Sequence, residues 1–557
     1  MCEPRASIPL RMKTRSEKRS FLRRYPALAL VAVSALLAVL LPSALTVPQS
    51  GPTTLAEFAP VPGQGQGSSD ISSLDSASSG GIGFGSGTSA NEGFVPPPQA
   101  GAPSQKKAQL KKCVGNPPRQ TEDPLSPPCV AFFEGDNFGE TWKGVTRDEV
   151  QAVITVDSGS TDNRSGQLID CARPLEDSDG PGDTYCRAYM RYFNDRYQTY
   201  GRKVHLWASH VTPMDTVDQR KPFAAEGTFT WPARKTMVLT YDGQLRRAYQ
   251  NVAPYAIGVR HDIEDMGSIA ASFVCRKLNA RLAKFAGPLL SGNTRKLGIW
   301  HSTGQQTTWL RDAIVEQLSD QCNVKIPASR IVAGNTATSA GLLQNEGVTS
   351  VIAIMTGQDP AIAVNLATQA GFFPEWVIPG AVASRGLDVN ANGRLVEPTQ
   401  WSRAFGLTFY YRLDAVADQP WNRAYRESCA ECPALNTATG SKAPFAYETL
   451  LTLFWGIQAA GPRLNPTNVD KGLHAIPPKA STNPYQPAAY FAPGNYTFIK
   501  DSAAIWWDPQ GRAPGSTSTG CYRLPDGGTR RRTGEWPSGD DDLFKPETAP
   551  CQGDTFQ

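Results

Sequence analysis

The sequence predicts an α/β protein with two parallel sheets, each flanked by helices, and a hinge between the two lobes. Three observations carry that expectation. From about residue 145, short apolar runs alternate with amphipathic helical stretches, the pattern of parallel sheets covered on both faces. That stretch is too long for one doubly wound unit and holds no internal repeat, so two lobes are the natural partition. A basic and then apolar start, with ten cysteines after Cys2, places the folded part outside the cytoplasm.

Bulk properties narrow the function classes. A chain of 557 residues exceeds one compact core. Without the N-terminus and tether, about 440 residues remain, enough for two or three domains. Net charge is +4 with 19% charged residues, and much of the positive charge precedes residue 25. The folded part is therefore near neutral, which argues against a nucleic-acid partner. The five histidines form no i, i+4 pair. No metal site and no cofactor are expected.

The elements follow in order. Residues 1–24 are basic and read as a cytoplasmic n-region; residues 25–47, built on the apolar run Ala27–Leu41, read as a signal peptide or a membrane anchor. Cleavage and retention both remain open. Residues 48–110 are a Gly/Ser/Pro tether that cannot bury enough surface to offset its ordering entropy. Residues 111–145 form a disulfide-bearing extension. Strands are expected at Glu149–Val156, Val204–Ala208, Lys235–Leu239, Lys296–Trp300, Arg330–Val332, Val348–Met355 and Trp376–Ile378. Tyr185, Tyr189, Tyr192, Phe193, Tyr197 and Tyr200 mark one helical face closed by Gly201. Further helices are expected from about Asp262 to Phe285, over Trp309–Leu318, after Asp359 as cap with Pro360 at the first position, and over Phe445–Ala459. Lobe 1 is assigned 146–260 and 383–460, lobe 2 is assigned 261–382 and 461–525, and 526–557 is a tail.

Ten cysteines of an exported chain read as a disulfide framework. Close neighbours suggest Cys113–Cys129, Cys171–Cys186, Cys429–Cys432 and Cys521–Cys551, which leaves Cys275 and Cys322. Spacing alone leaves the connectivity open. The rival for Cys429 and Cys432 is a redox or zinc pair, but their loop is polar and no second C-x-x-C completes a zinc site.

Several ordered segments then carry a resemblance. They are Ser126-Pro127-Pro128-Cys129; Gly135-Asp136-Asn137 with Gly139, Thr141 and Gly144-Val145-Thr146; Phe193-Asn194; and Tyr200-Gly201-Arg202. They continue with Arg295–Ile299, Gly347–Ile352, Pro374–Val377, Gln400-Trp401 with Ala404-Phe405-Gly406, and Gly456–Pro462. Together they resemble the type I periplasmic-binding-protein fold in its branched-chain amino-acid-binding branch. More narrowly they are similar to an actinobacterial group of ABC-transporter substrate-binding proteins. The resemblance spans most of residues 113–525. It implies a two-lobed protein that captures a small polar solute, an amino acid or a related carboxylate, for a membrane permease, and that is not an enzyme. The chain departs from that pattern in lobe 1. Only a short polar stretch lies between Ala208 and Phe223 where a full crossover helix is usual, and the segment before Lys235 is similarly brief. No acid to face a ligand ammonium is placed, since the charged residue beside Gln400-Trp401 is Arg403.

Ligands of open parallel sheets sit beyond the carboxyl ends of the strands. That nominates Asp157, Ser158, Tyr241 and Asp242 in lobe 1, and His301, Ser302, Thr356 and Gln358 in lobe 2. Each has a plainer reading as a turn or cap residue. Asp388-Val-Asn390-Ala-Asn392-Gly393 opens like a calcium loop but has Thr399 where a bidentate acid belongs. Asn163-Arg-Ser165 and Asn495-Tyr-Thr497 match glycosylation acceptors. Phosphate-loop, zinc-protease and nucleophile-elbow motifs are absent. Two rival expectations stand beside solute capture: a membrane-anchored sensor or interaction module on the same fold, and a secreted hydrolase.

Overall fold

The computed structural model describes residues 113–555 apart from 115–118, 121–122, 132, 157–165, 177–178, 211–213, 228–233, 242, 381–385, 436–440, 479–482 and 545–548. The membrane segment and tether expected over 25–110 lie outside the described residues, as do Asp157, Ser158, Asp242 and the Asn163 acceptor. Among the described residues no helix is long and apolar enough to cross a membrane.

The chain opens with an antiparallel pair, β1 (Cys113–Val114) and β2 (Arg119–Gln120). Lobe 1 then builds on β3 (Glu149–Thr155), β4 (Leu168–Asp170), β5 (Lys203–Ser209), β6 (Ala224–Glu226), β7 (Met237–Thr240) and β8 (Ala256–Gly258). Their order is β4-β5-β3-β6-β7-β8, parallel except for β4. The chain winds out from β3 to β5 and returns to β6 on the other side, which is a doubly wound sheet with its switch point at β3 and β6.

Between them run α1 (Pro181–Arg196), α2 (Met214–Gln219) and α3 (Arg246–Val252). Helix α1 starts with Pro181 at its first position, and Asp183 Oδ2 accepts from Gly180 N at 3.0 Å. Its tyrosine face is buried as the spacing predicts. It ends at Arg196, before the expected Gly201, because Tyr200 and Gly201 both take left-handed φ and turn the chain into β5. The expected shortening of lobe 1 is found, since α2 has only 6 residues.

Lobe 2 repeats the winding. Its strands are β9 (Leu297–His301), β10 (Ile331–Ala333), β11 (Ser350–Ile354), β12 (Glu375–Ile378) and β13 (Ala404–Thr408). They run in parallel in the order β10-β9-β11-β12-β13, extended antiparallel by β14 (Ser502–Asp508), β15 (Cys521–Arg523) and β16 (Arg530–Arg531). The helices are α4 (Ile263–Phe273), α5 (Gln305–Cys322), α6 (Ser339–Asn345), α7 (Asp359–Gln369), α8 (Asn390–Gly393) and α9 (Pro398–Trp401). Helix α4 continues as one π-turn to Leu278 and stops short of the expected Phe285, where Ala280 takes a left-handed φ of 57°. The cap of α7 is Gln358; Asp359 is its first residue.

The chain then returns to lobe 1 as α10 (Pro420–Ser428), α11 (Ala443–Ala460) and α12 (Pro466–His474). Three boundaries differ from the sequence reading. Because β13 pairs with β12, residues 386–408 stay with lobe 2. Phe491, Phe498 and Ile499 pack in the core of lobe 1, so lobe 2 resumes near β14 and not at 461. The described residues of the expected tail are built into lobe 2: Trp536 and Leu543 pack into its core and β16 pairs with β14. The antiparallel additions had no crossover helix to announce them.

Two parallel-dominant sheets, each flanked by helices and joined by chain crossings, make the two-lobed α/β architecture that the sequence predicts. Disulfides Cys171–Cys186, Cys275–Cys322, Cys429–Cys432 and Cys521–Cys551 form as expected. Cys129 is also disulfide-bonded, while the Cys113 side chain lies outside the described residues. Among the described residues, no three His, Cys, Asp or Glu side chains converge as a metal site. The calcium-loop reading fails on Asp388, which is buried and accepts from Thr408 Oγ1 at 2.9 Å and Phe409 N at 3.2 Å. The Asn495 acceptor is likewise buried, with its amide donating to Asp265 at 2.9 Å.

The N-terminal extension is part of the core of lobe 1. Trp455 Nε1 on α11 donates to Leu125 O at 2.7 Å, and Tyr447 Oη donates to Asp123 Oδ2 at 3.0 Å. Burial pushes Asp123 up to about 6, partly offset by its hydrogen bonds from Leu125 and Tyr447. An acid whose folded pKa exceeds its unfolded value binds its proton more tightly when folded. It therefore costs stability at neutral pH, and the cost fades as pH falls through about 6 towards 3.8. His261 acts oppositely: burial pushes it down to about 3, so it leaves stability unchanged at neutral pH and costs increasingly more as pH falls from 6.5 towards 3. Asp123→Asn is expected to raise stability at pH 7.5 by up to about 3 kcal/mol, and that advantage is expected to shrink towards pH 4. Urea midpoints against pH measure it, and a pH-independent difference would contradict the assignment.

Candidate functional site

Three crossings join the lobes, at 258–263, 409–413 and 497–502. The first and third pair directly, with Gly258 N donating to Tyr496 O at 2.8 Å. The first and second meet where the His261 and Phe409 rings lie 4.2 Å apart. Arg530 ties the second to the third: its guanidinium is ion-paired to Asp501 at 2.8 Å and donates to the carbonyls of Tyr410 (2.7 Å) and Phe409 (3.2 Å). Lys500 adds a pair to Asp265 at 2.8 Å. At the rims of the two sheets, Gln306 on the first turn of α5 donates to Gly243 O, just after β7, at 3.1 Å. The carboxyl ends of the two sheets therefore approach one another.

Beside these crossings lies a cavity of about 30 Å³, room for a water or two. Its wall is aromatic: Tyr241 follows β7, Tyr410 and Tyr411 belong to the second crossing, Trp421 lies on α10 and Phe445 on α11. Tyr241 meets Phe445 edge to face, with centroids 4.6 Å apart. One ionised group, Glu448 on α11, lines the cavity, and so does Thr555. Behind the wall Arg260, from the first crossing, donates through Nη2 to both Glu448 oxygens at 3.1 and 2.9 Å. Its guanidinium lies 4.1 Å from the Tyr410 ring and 5.0 Å from that of Tyr241. Arg260 Nε and Nη1 are buried and have no hydrogen-bond partner among the described residues. Burial pushes the Tyr241 hydroxyl well above its usual range and Tyr410 up to about 12, so both stay protonated donors.

Of the residues nominated from sequence, Tyr241 reaches this cavity. His301, Ser302, Thr356 and Gln358 gather at the β9/β11 switch point of lobe 2 and do not line it. His301 is buried; Nδ1 lies 2.7 Å from Ser302 O and Nε2 is 3.3 Å from Arg311 Nη1. Those partners assign the proton to Nδ1, and burial lowers the pKa, so the ring is neutral. Ser302 Oγ donates to the Asp359 carboxylate and accepts from Thr356 N at 3.2 Å. Asn335 completes this cluster by donating to Asp359 at 3.1 Å. Gln358 is exposed. Sequence reasoning missed Glu448 and Arg260. The available signal was that Glu448 is the single ionisable acid in an 18-residue helix whose other positions are almost all buried.

No protein-family model matches this chain, and none of the curated proteins matches it. Among solved structures, it is similar to a branched-chain amino acid ABC transporter periplasmic ligand-binding protein from Burkholderia xenovorans LB400, at 12% identity over 71% of this chain and 97% of that one, with TM-score 0.46. It is also similar to a possible leucine/isoleucine/valine-binding protein from Rhodopirellula baltica SH 1, at 10% identity over 64% and 94%, with TM-score 0.41. A third is an ABC-transporter solute-binding protein from Rhodopseudomonas palustris HaA2 in complex with p-hydroxybenzoic acid, at 12% identity over 72% and 100%, with TM-score 0.43.

The buried pair yields a direct expectation. Glu448→Ala leaves the Arg260 charge buried without its partner and is expected to cost about 3–5 kcal/mol. The double variant Arg260→Met/Glu448→Leu is expected to recover most of that loss. Denaturant midpoints measure both, and additive losses would contradict the pairing.

Proposed function

We propose that this chain is an exported solute-binding protein that captures a small polar solute between its lobes and does not transform it. One observation carries the reading. The rim of lobe 1 (Tyr241), two interlobe crossings (Arg260, Tyr410) and α11 (Glu448) converge on one aromatic-walled cavity at the hinge. Pockets lined by aromatic side chains with a few fixed polar groups suit small ligands. Because Arg260 neutralises Glu448, the wall carries no net charge from that pair. It favours a zwitterionic or neutral solute with an apolar body, such as an amino acid, and the present volume of about 30 Å³ requires the walls to part before one is admitted. The solute enters with the lobes apart, and they close by bending at the three crossings. The closed form is presented to a membrane permease of an ABC transporter. The basic and apolar N-terminus supports export and placement at the outer membrane surface. The finer likeness, to actinobacterial members of the family, rests on the ordered sequence segments.

A second reading, a membrane-anchored sensor or interaction module, is favoured by one feature. Helices α2 and α3 have only 6 and 7 residues, so these lobe 1 connections carry little helix. Titration calorimetry of the oxidised protein against the twenty amino acids, betaine, choline and benzoate separates the readings. Solute capture predicts saturable heat with at least one amino acid or betaine and a smaller radius of gyration in solution scattering at saturation. Absence of heat across the panel, with no compaction, would contradict it.

A further inference from the structure

The segment 549–555 was expected to belong to a tail, yet it is built into the wall of the hinge cavity. Its backbone extends the sheet of lobe 2 beside β15: Leu524 N donates to Pro550 O at 2.9 Å and Gln552 N to Tyr522 O at 2.7 Å. The disulfide Cys521–Cys551 fixes it there covalently. From that anchor it crosses to the second interlobe crossing. Gln552 Nε2 donates to Tyr411 O at 2.9 Å, its Oε1 accepts from Leu413 N at 3.0 Å, and Gly553 N donates to Leu413 O at 3.2 Å. Asp554 is held three times, by an ion pair with Arg394 at 2.9 Å, by Asn390 Nδ2 donating to its carboxylate at 3.0 Å and by Gln419 Nε2 donating to its carbonyl at 2.7 Å. Gly553 is needed for this fit, because a Cβ there would stand 2.4 Å from Asp414 O and 2.6 Å from Leu413 O.

All these bonds deliver one side chain, Thr555, to the cavity. Its Oγ1 is buried without a hydrogen-bond partner among the described residues. A buried hydroxyl left unpaired costs stability and is satisfied by whatever polar atom enters the cavity. We propose that residues 549–555 form a disulfide-fastened strap that sets the solute specificity of the hinge cavity. In it the Thr555 hydroxyl donates to an acceptor on the solute, a carboxylate or carbonyl oxygen. The proposal rests on the solute-capture reading and names the second polar contact of the same site. Thr555 and Glu448 together select solutes that carry a hydrogen-bond acceptor at one end and a donor at the other.

The test uses the oxidised full chain and the solute from the calorimetric panel that binds most tightly. Thr555→Val removes the hydroxyl at nearly constant volume and is expected to weaken binding about five- to tenfold, the loss of one hydrogen bond. Thr555→Ser is expected to restore most of it. Gly553→Val, which forces the strap off Leu413, is expected to weaken binding more than Thr555→Val does. Cys521→Ser/Cys551→Ser is expected to weaken binding in step with the loss of strap order, read by proteolysis near residue 550. Unchanged urea midpoints for Thr555→Val separate lost contact from lost folding. Heat in the wild type together with unchanged affinity in both Thr555→Val and Gly553→Val would overturn the strap proposal alone. A wild type silent across the whole panel would overturn the solute-capture reading and the strap with it.

Discussion

The arrangement at the hinge depends on the Arg260–Glu448 pair. Arg260 belongs to the first crossing between the lobes and Glu448 to the long helix of lobe 1, so one charge pair ties that crossing to the core of lobe 1. Burying either charge alone would cost several kcal/mol, and burying both is tolerable only when they meet at close range. The rings of Tyr241 and Tyr410 enclose the guanidinium and are themselves the cavity wall. The position of the wall is therefore set by an electrostatic requirement and not by packing alone.

The crossings around it are unusually polar for buried backbone. Arg530, Asp501, Lys500, Asp265 and Asp388 are each spent on holding one crossing to another or to the lobe beneath. Such directional bonds fix the crossings to one another and to the lobes at either end. The strap from 549–555 adds a covalent fixed point on one side of the cavity.

Much of this fold was legible because parallel strands buried on both faces write apolar runs, and crossover helices write their 3.6-residue period between them. Strands β3, β9 and β11 and the tyrosine face of α1 followed directly. The antiparallel additions β14 to β16 did not, since strands added without crossover helices leave no alternation to read. The same applies to the fate of 526–555, whose Gly- and Pro-rich composition suggests a tail while its bonds are long-range. For the site, the strand-end rule found Tyr241 but not its partners. Arg260 lies in a crossing, and Glu448 sits inside a helix that reads as core. His301 and Ser302 occupy strand ends as expected, and their polar atoms are consumed within lobe 2 by Arg311, Thr356 and Asp359.

The central claim is that solute, the first and second crossings and lobe 1 meet at one place. Hydrogen–deuterium exchange with and without a saturating solute tests it most directly. The account predicts slowed exchange together in the segments around Tyr241–Arg260, Tyr410–Trp421 and Phe445–Glu448. Protection confined to the β9/β11 end of lobe 2, around His301 and Thr356, would contradict it.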